Sequence, residues 1–244
     1  MTASRSADPA LSNGAATTGT ATAPVPSPGS AAKGAPAPLG ARGEATVAIS
    51  LPKTSESPQL LRIRHSMSHV LAMAVQTLFP KAQVTIGPWT ESGFYYDFDN
   101  PEPFTEADLK AIKKEMGKLI GRRLPLQRLE VSRAEAEARI TAQNEPYKLE
   151  ILAGIQEPIS LYTLGDDWWD LCAGPHVANT SELNPKAFEL ESVAGAYWRG
   201  DEKRAQLQRI YGTAWETPEQ LTEYKRRKEE ALRRDHRRLG TDLN

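Results

Sequence analysis

From residue 59 onward, Leu61, His65, Ser68, His69, Ala72, Val75, Gln76 and Phe79 recur at three- and four-residue steps. That period predicts a helix over about 59–78, opened behind Pro58 and stopped by Pro80. The pattern then changes. Val84-Thr85-Ile86-Gly87-Pro88 and Gly93-Phe94-Tyr95-Tyr96-Asp97-Phe98 read as a strand, a turn and a second strand. Thr105, with Asp108 three positions on, predicts a capped helix over about 106–121. Residues 124–131 read as a strand, and Ser132 caps a helix over about 133–142. Another element starts at Tyr147 and runs to Leu152, and Ile159–Leu164 reads as a strand. Asp166 to Cys172 leads into a loop holding Gly174 and Pro175. Phe188–Gly195 and Leu207–Gly212 read as two further strands. Thr217, with Pro218 and Glu219 behind it, opens a last, highly charged helix over about 218–239. Val47–Leu51 is a candidate short strand near the start. The expected class is α+β: a mostly antiparallel sheet packed on the long first helix, with a charged C-terminal helix.

Composition sorts these elements into regions. Residues 2 to about 45 are rich in Ala, Gly, Pro, Ser and Thr and hold no aromatic residue. Such a stretch cannot bury enough apolar surface to offset its ordering entropy, so residues 1–50 are expected to be a disordered tail. A transit peptide is the competing reading, but Arg is sparse for one. A compact domain over 59–216 and a separate helix over 217–244 account for the rest of the 244 residues. The net charge of -1 gives no global electrostatic case for a nucleic-acid binder. Attraction to phosphate would have to come from local patches: Arg122-Arg123, Arg199 with Lys203-Arg204, and the last helix. The single cysteine, Cys172, excludes an internal disulfide and fits a reducing compartment. No run of 18 or more apolar residues exists, and Met1 to Ser6 does not lead into an apolar core.

The chemistry concentrates on four residues. His65 and His69 are four apart on the predicted helix, which puts both imidazoles on one face. Cys172 and His176 are also four apart, but Gly174 and Pro175 between them argue for a loop. Three of the chain's four histidines and its only cysteine belong to this set. A lone histidine is most often a surface or hydrogen-bonded residue, and a lone cysteine a small core residue. Together, two His and a Cys-His pair have the ligand types and number for a tetrahedral zinc site, and spacing alone makes metal binding the first reading.

The stretches His65-Ser66-Met67-Ser68-His69 and Cys172-Ala173-Gly174-Pro175-His176 resemble the paired motifs of the editing domain of threonyl-tRNA synthetase. Related motifs occur in the editing domain of alanyl-tRNA synthetase. Gly93-Phe94-Tyr95-Tyr96-Asp97, Glu145-Pro146-Tyr147-Lys148, Ala194 to Asp201, Gln208 to Ala214 and Lys228 to Gly240 are similar to the threonyl type. The resemblance runs over about 59–240, with the motifs in order. It implies an editing domain over 59–216 and a connector helix over 217–244, leading toward a class II aminoacylation domain. Nothing in these residues resembles an ATP-dependent adenylating core, so ligation is not expected of this chain alone. The small ubiquitin-like domain that precedes the editing domain in many members has a low-complexity stretch in its place.

The resemblance also implies a reaction: hydrolysis of seryl-tRNA for threonine. His65 would orient or deprotonate the water, Lys148 would stabilise charge, and Asp170 and His176 would complete the catalytic group. His69, Tyr96 and Cys172 would contact the substrate. Composition alone would make Lys148 a solvated lysine, and Tyr96 a half-buried strand aromatic; Cys172 as a covalent nucleophile is the weaker alternative. The threonyl type implies no metal, whereas the alanyl type holds zinc, for which His65, His69, Cys172 and His176 are the ligands. The expected partner is serine-mischarged tRNA, with the rest of the synthetase or a homodimer of the full enzyme as further candidates. No membrane association is expected, and the location is cytoplasmic. A non-catalytic zinc-binding or tRNA-docking module is the rival reading.

Overall fold

Ser57 opens the first helix because its Oγ accepts the Leu60 N–H at 3.1 Å and Pro58 presets the first helical turn. The structure, a computed structural model, describes the backbone of residues 48–242 and side chains to 234. The predicted tail over 1–50 lies outside the described residues up to position 47. Helix α1, Pro58–Leu78, buries its side chains almost all round from Ser66 to Val75. It is therefore a core helix with protein on several sides.

Strands β1 (Gln83–Val84) and β2 (Phe94–Asp99) follow, then α2 (Glu106–Gly121) behind the Thr105–Asp108 capping box. Next come β3 (Leu126–Val131), α3 (Arg133–Ala142, capped by Ser132) and α4 (Pro146–Ala153). Strands β4 (Ile159–Leu164), β5 (Trp168–Leu171), β6 (Phe188–Tyr197) and β7 (Gln206–Ala214) precede α5 (Pro218–Asp242). No helix among the described residues is long and apolar enough to cross a membrane.

The strands divide into two antiparallel sheets, ordered β1-β2-β7-β6 and β3-β4-β5. The fold is thus α+β as expected, but with its strands shared between two sheets. The two sheets pack on different helices. Met67, Val70, Leu71 and Val75 of α1 pack with Phe94, Tyr96, Phe98 and Ile210 of the larger sheet and with Ile112 and Met116 of α2. A smaller core of Ala136, Ile140, Leu152 and Ile159 lies between the three-stranded sheet and helices α3 and α4. The smaller sheet also closes the main core from its other face, through Leu126, Leu164 and Trp168.

The candidate strand at 47–51 is not one. Residues 48–51 are irregular, and their carbonyls are taken by α5: Gln220 Nε2 donates to Ser50 O at 3.3 Å and Arg227 Nη2 to Ile49 O at 3.2 Å. Those side-chain bonds replace a ladder.

Two loops take their course from glycine. Gly87 sits where any Cβ would enter the Tyr96 ring, so the β1–β2 connection can press down on the sheet. Gly174 adopts a left-handed φ of +80°, and a Cβ there would meet the Tyr162 hydroxyl. Glycine at this point lets the loop after β5 turn back toward α1.

Candidate active site

The loop after β5 brings Cys172 and His176 against α1, one turn of which presents His65 and His69. The Nδ1, Nε2 and Sγ atoms that these four residues offer lie within 4.8 Å of one another. The imidazoles pack as a group: His65 and His176 centroids are 4.1 Å apart, His69 and His176 4.3 Å, and His65 and His69 5.3 Å.

Hydrogen bonds assign the protons. His65 Nδ1 lies 3.1 Å from Pro175 O, which can only accept, so Nδ1 carries the hydrogen. Its Nε2 keeps a lone pair, 3.4 Å from Cys172 Sγ. Burial pushes the thiol up to about 12, which keeps the sulfur protonated and able to donate there. His176 Nε2 stands 3.3 Å from the same sulfur, and its Nδ1 stands 3.1 Å from Ser66 Oγ. Ser66 Oγ accepts the Val177 N–H at 3.0 Å, which ties this loop to α1. The consistent chain is Ser66 O–H to His176 Nδ1, His176 Nε2–H to the sulfur, and S–H to His65 Nε2.

Beside this cluster is a buried charged pair. Lys148, from α4, donates to Asp170 Oδ1, from β5, and to the Tyr96 hydroxyl at 3.0 Å. Tyr96 O–H donates to Asp170 Oδ2 at 2.8 Å. Lys148, Asp170 and Tyr96 are 4%, 3% and 0% exposed, so the pair is shielded from water and its partners must satisfy it. His69 Nε2 lies 3.6 Å from Asp170 Oδ2 and links the two groups.

A cleft of about 410 Å³ opens on both, lined by His65, His69, Lys148, Asp170 and Cys172 together with Ile86, Gly87 and Pro88. Tyr96 and His176 stand behind this lining. All seven residues singled out from sequence are therefore brought together. Sequence reading missed Ser66, because a position one step from His65 points off the shared helix face. It also missed Tyr162, whose ring meets His176 edge-on at 4.5 Å. A third omission is Glu145, which accepts from Val84 N–H at 3.0 Å and Gln76 Nε2 at 2.6 Å at the start of α4. The family-like stretch around Lys148 was its only signal.

Several basic residues of the candidate patches are paired among the described residues. Arg122 pairs with Asp167 at 2.9 Å, and Arg199 and Arg204 share Glu150. On α5, Arg226 and Arg227 pair with Glu223, while Lys225 and Lys228 pair with Glu189 and Glu191.

The site has an acid limit. Burial holds His65 below its usual value and His69 and His176 far below theirs. Each therefore binds its proton less readily folded than unfolded, and each pKa unit of depression costs about 1.4 kcal/mol once pH falls below both values. Stability from these three is full above about pH 6.5, the unfolded value, and is lost as pH falls further. Glu145 runs the other way: burial raises it to about 7, so it gains relative stability as pH falls from 7 toward 4.5. Three groups oppose one. The thermal midpoint is expected to drop between pH 6.5 and 4.5, more steeply in Glu145→Gln; a flat profile would contradict the neutral buried cluster.

A helix-borne imidazole pair facing a Cys–His loop thus stands beside a buried Lys–Asp pair, on an α+β scaffold. Residues 159–211 match the family described as the threonyl and alanyl tRNA synthetase second additional domain. The sequence is similar to proteins named threonine–tRNA ligase. It is 85% identical over 196 residues to a protein named threonine–tRNA ligase from Synechococcus sp. (strain CC9311), covering 80% of this chain and 32% of that relative. With the protein of that name from Synechococcus sp. (strain CC9605) it shares 75% over 222 residues, covering 91% of this chain and 35% of the relative. With that from Thermosynechococcus vestitus it shares 73% over 199 residues, covering 82% and 33%. The chain spans about a third of the length of these relatives.

Proposed function

We propose that this chain hydrolyses the ester joining serine to the terminal ribose of threonine tRNA. The observation that carries the reading is the shared cleft: a neutral imidazole whose Nε2 keeps a lone pair and a buried ammonium both line it. A water entering beside His65 would displace the thiol hydrogen from Nε2 and give up a proton there as it attacks the ester carbon. Negative charge then grows on the carbonyl oxygen, and the Lys148 ammonium is the group placed to meet it. The ester C–O bond breaks, and the ribose oxygen leaves with a proton returned from His65. Asp170 and Tyr96 hold Lys148 in place, and His69 and Cys172 narrow the pocket around the amino-acid side chain.

The need for such a site is physical. Serine lacks one methyl of threonine, and a missing methylene separates substrates by only about 1–3 kcal/mol in an activating pocket. A second, tighter pocket reverses the test by rejecting the larger side chain. Incubating the chain with matched seryl- and threonyl-tRNA measures this directly. Fast release of serine and slow release of threonine is expected; intact seryl-tRNA at high protein concentration would end the reading.

The donor cluster favours one rival. Ligand atoms around a tetrahedral zinc stand about 3.3–3.6 Å apart for N and S donors, and the Cys172 sulfur lies 3.4 and 3.3 Å from two Nε2 atoms. Those two spacings suit an ion shared by His65, Cys172 and His176, with His69 inside the 4.8 Å that spans the cluster, and such an ion would supply an acidified water. Binding must first expel a proton from a thiol raised to about 12. We expect elemental analysis of the purified chain to find far less than one zinc per chain, and a chelator to leave unfolding unchanged. One zinc per chain with chelator-induced unfolding would favour the metal module.

A further inference from the structure

Lys148 enters the site from α4, an eight-residue helix too short to hold its own shape. Its position must come from what grips it. At its start, Glu145 is bonded to β1 and α1, and Tyr147 O–H donates to Asp99. Its outer face carries Glu150, two residues past Lys148. Glu150 is gripped by the end of the β6–β7 hairpin: Arg204 Nη1 donates to Oε1 at 2.8 Å and Nη2 to Oε2 at 2.5 Å, and Trp198 Nε1 donates to Oε2 at 2.9 Å. Arg199, in a left-handed turn at φ 55°, adds Nε to Oε1 at 3.0 Å and Nη2 to the Glu150 carbonyl at 3.2 Å. Five contacts thus converge on one half-buried residue. The Trp198 ring is 3% exposed and meets Tyr147 edge-on at 5.1 Å, so the clamp is seated on a packed aromatic base.

We propose that Glu150, through Arg204 and Trp198, is a positioning residue for Lys148: the hairpin holds α4 at the depth where the ammonium reaches Asp170 and the cleft. The proposal rests on the hydrolase reading for its kinetic consequence, but its structural consequence stands apart. A single exposed ion pair adds little stability. Position is a different matter, since a misplacement of about 1 Å can cost about 100-fold in rate.

The same contacts separate this role from RNA binding. If Arg204 serves phosphate, Arg204→Ala raises KM with a strong salt dependence, and Glu150→Ala leaves the reaction unchanged or tightens tRNA. If the clamp positions Lys148, Glu150→Ala and Arg204→Ala each lower kcat about tenfold with KM within about twofold, and the double variant is no worse than either single one. Glu150→Asp restores part of the rate. The companion measurement is hydrogen exchange of the 147–153 amides, with the labelling rate of the Lys148 amine, on the whole chain. Both are expected to speed up in each variant at an unchanged thermal midpoint. Faster exchange in a chain whose unaltered form has no deacylase activity removes the hydrolase and keeps the clamp. An active chain whose variants keep wild-type kcat and exchange overturns the clamp.

Discussion

Replacing His65 with alanine is expected to lower seryl-tRNA deacylation by about 100- to 10,000-fold, the range a positioned general base supplies. The fold should survive. His65 is only partly buried and makes a single backbone bond, to Pro175 O. Its loss leaves the Cys172 thiol one acceptor short and little else. Two variants divide its two nitrogens. In His65→Asn the amide N–H stands where Nδ1–H stood and can keep the Pro175 bond, but nothing replaces Nε2. In His65→Gln the side chain reaches toward the Nε2 position without a basic nitrogen. Equal loss in all three places the role on the basicity of Nε2. Recovery in His65→Asn would make the loop contact the important one. Activity within a few-fold of wild type in all three would remove His65 from the chemistry.

How much of this was legible in the sequence depends on how local each signal is. The i, i+4 spacing of His65 and His69 is a property of one helix, so it could be read directly. The loop character of Cys172 to His176 followed from Gly174 and Pro175. That the two pairs meet is a tertiary fact, and only the family resemblance supplied it. Lys148 shows the limit best. It stands between Tyr147 and Leu149 in a short helix with no strong apolar face, and its buried partners, Tyr96 of β2 and Asp170 of β5, are distant in the chain. The split into two sheets was hidden for a similar reason. Strands β3 to β7 all carry ordinary strand patterns, and which of them share a ladder depends on where α3 and α4 insert. At 48–51 an apolar run looked like a strand, but its partners are side chains of α5, a contact that no local pattern announces.

The Lys148–Asp170 pair makes the other large expectation, because it joins stability to chemistry. Lys148→Met keeps the length of the side chain and removes its charge. Asp170 would then sit 3% exposed with only the Tyr96 hydroxyl and the His69 ring nearby. Breaking one side of a buried pair costs about 3–5 kcal/mol, because the remaining charge has no compensation. That loss should be visible in denaturant unfolding as a lower midpoint at unchanged slope. Deacylation should fall with it, since no other cation reaches the cleft among the described residues. Stability and catalysis can be pulled apart by removing both charges. Lys148→Met with Asp170→Asn leaves an amide that still accepts from Tyr96, so most of the lost stability should return. The activity should not, because the charge that meets the developing oxyanion is gone in both variants. A single variant with wild-type stability would mean that solvent already screens the pair. A double variant that regains both stability and turnover would take the ammonium out of the reaction and leave it a purely architectural role.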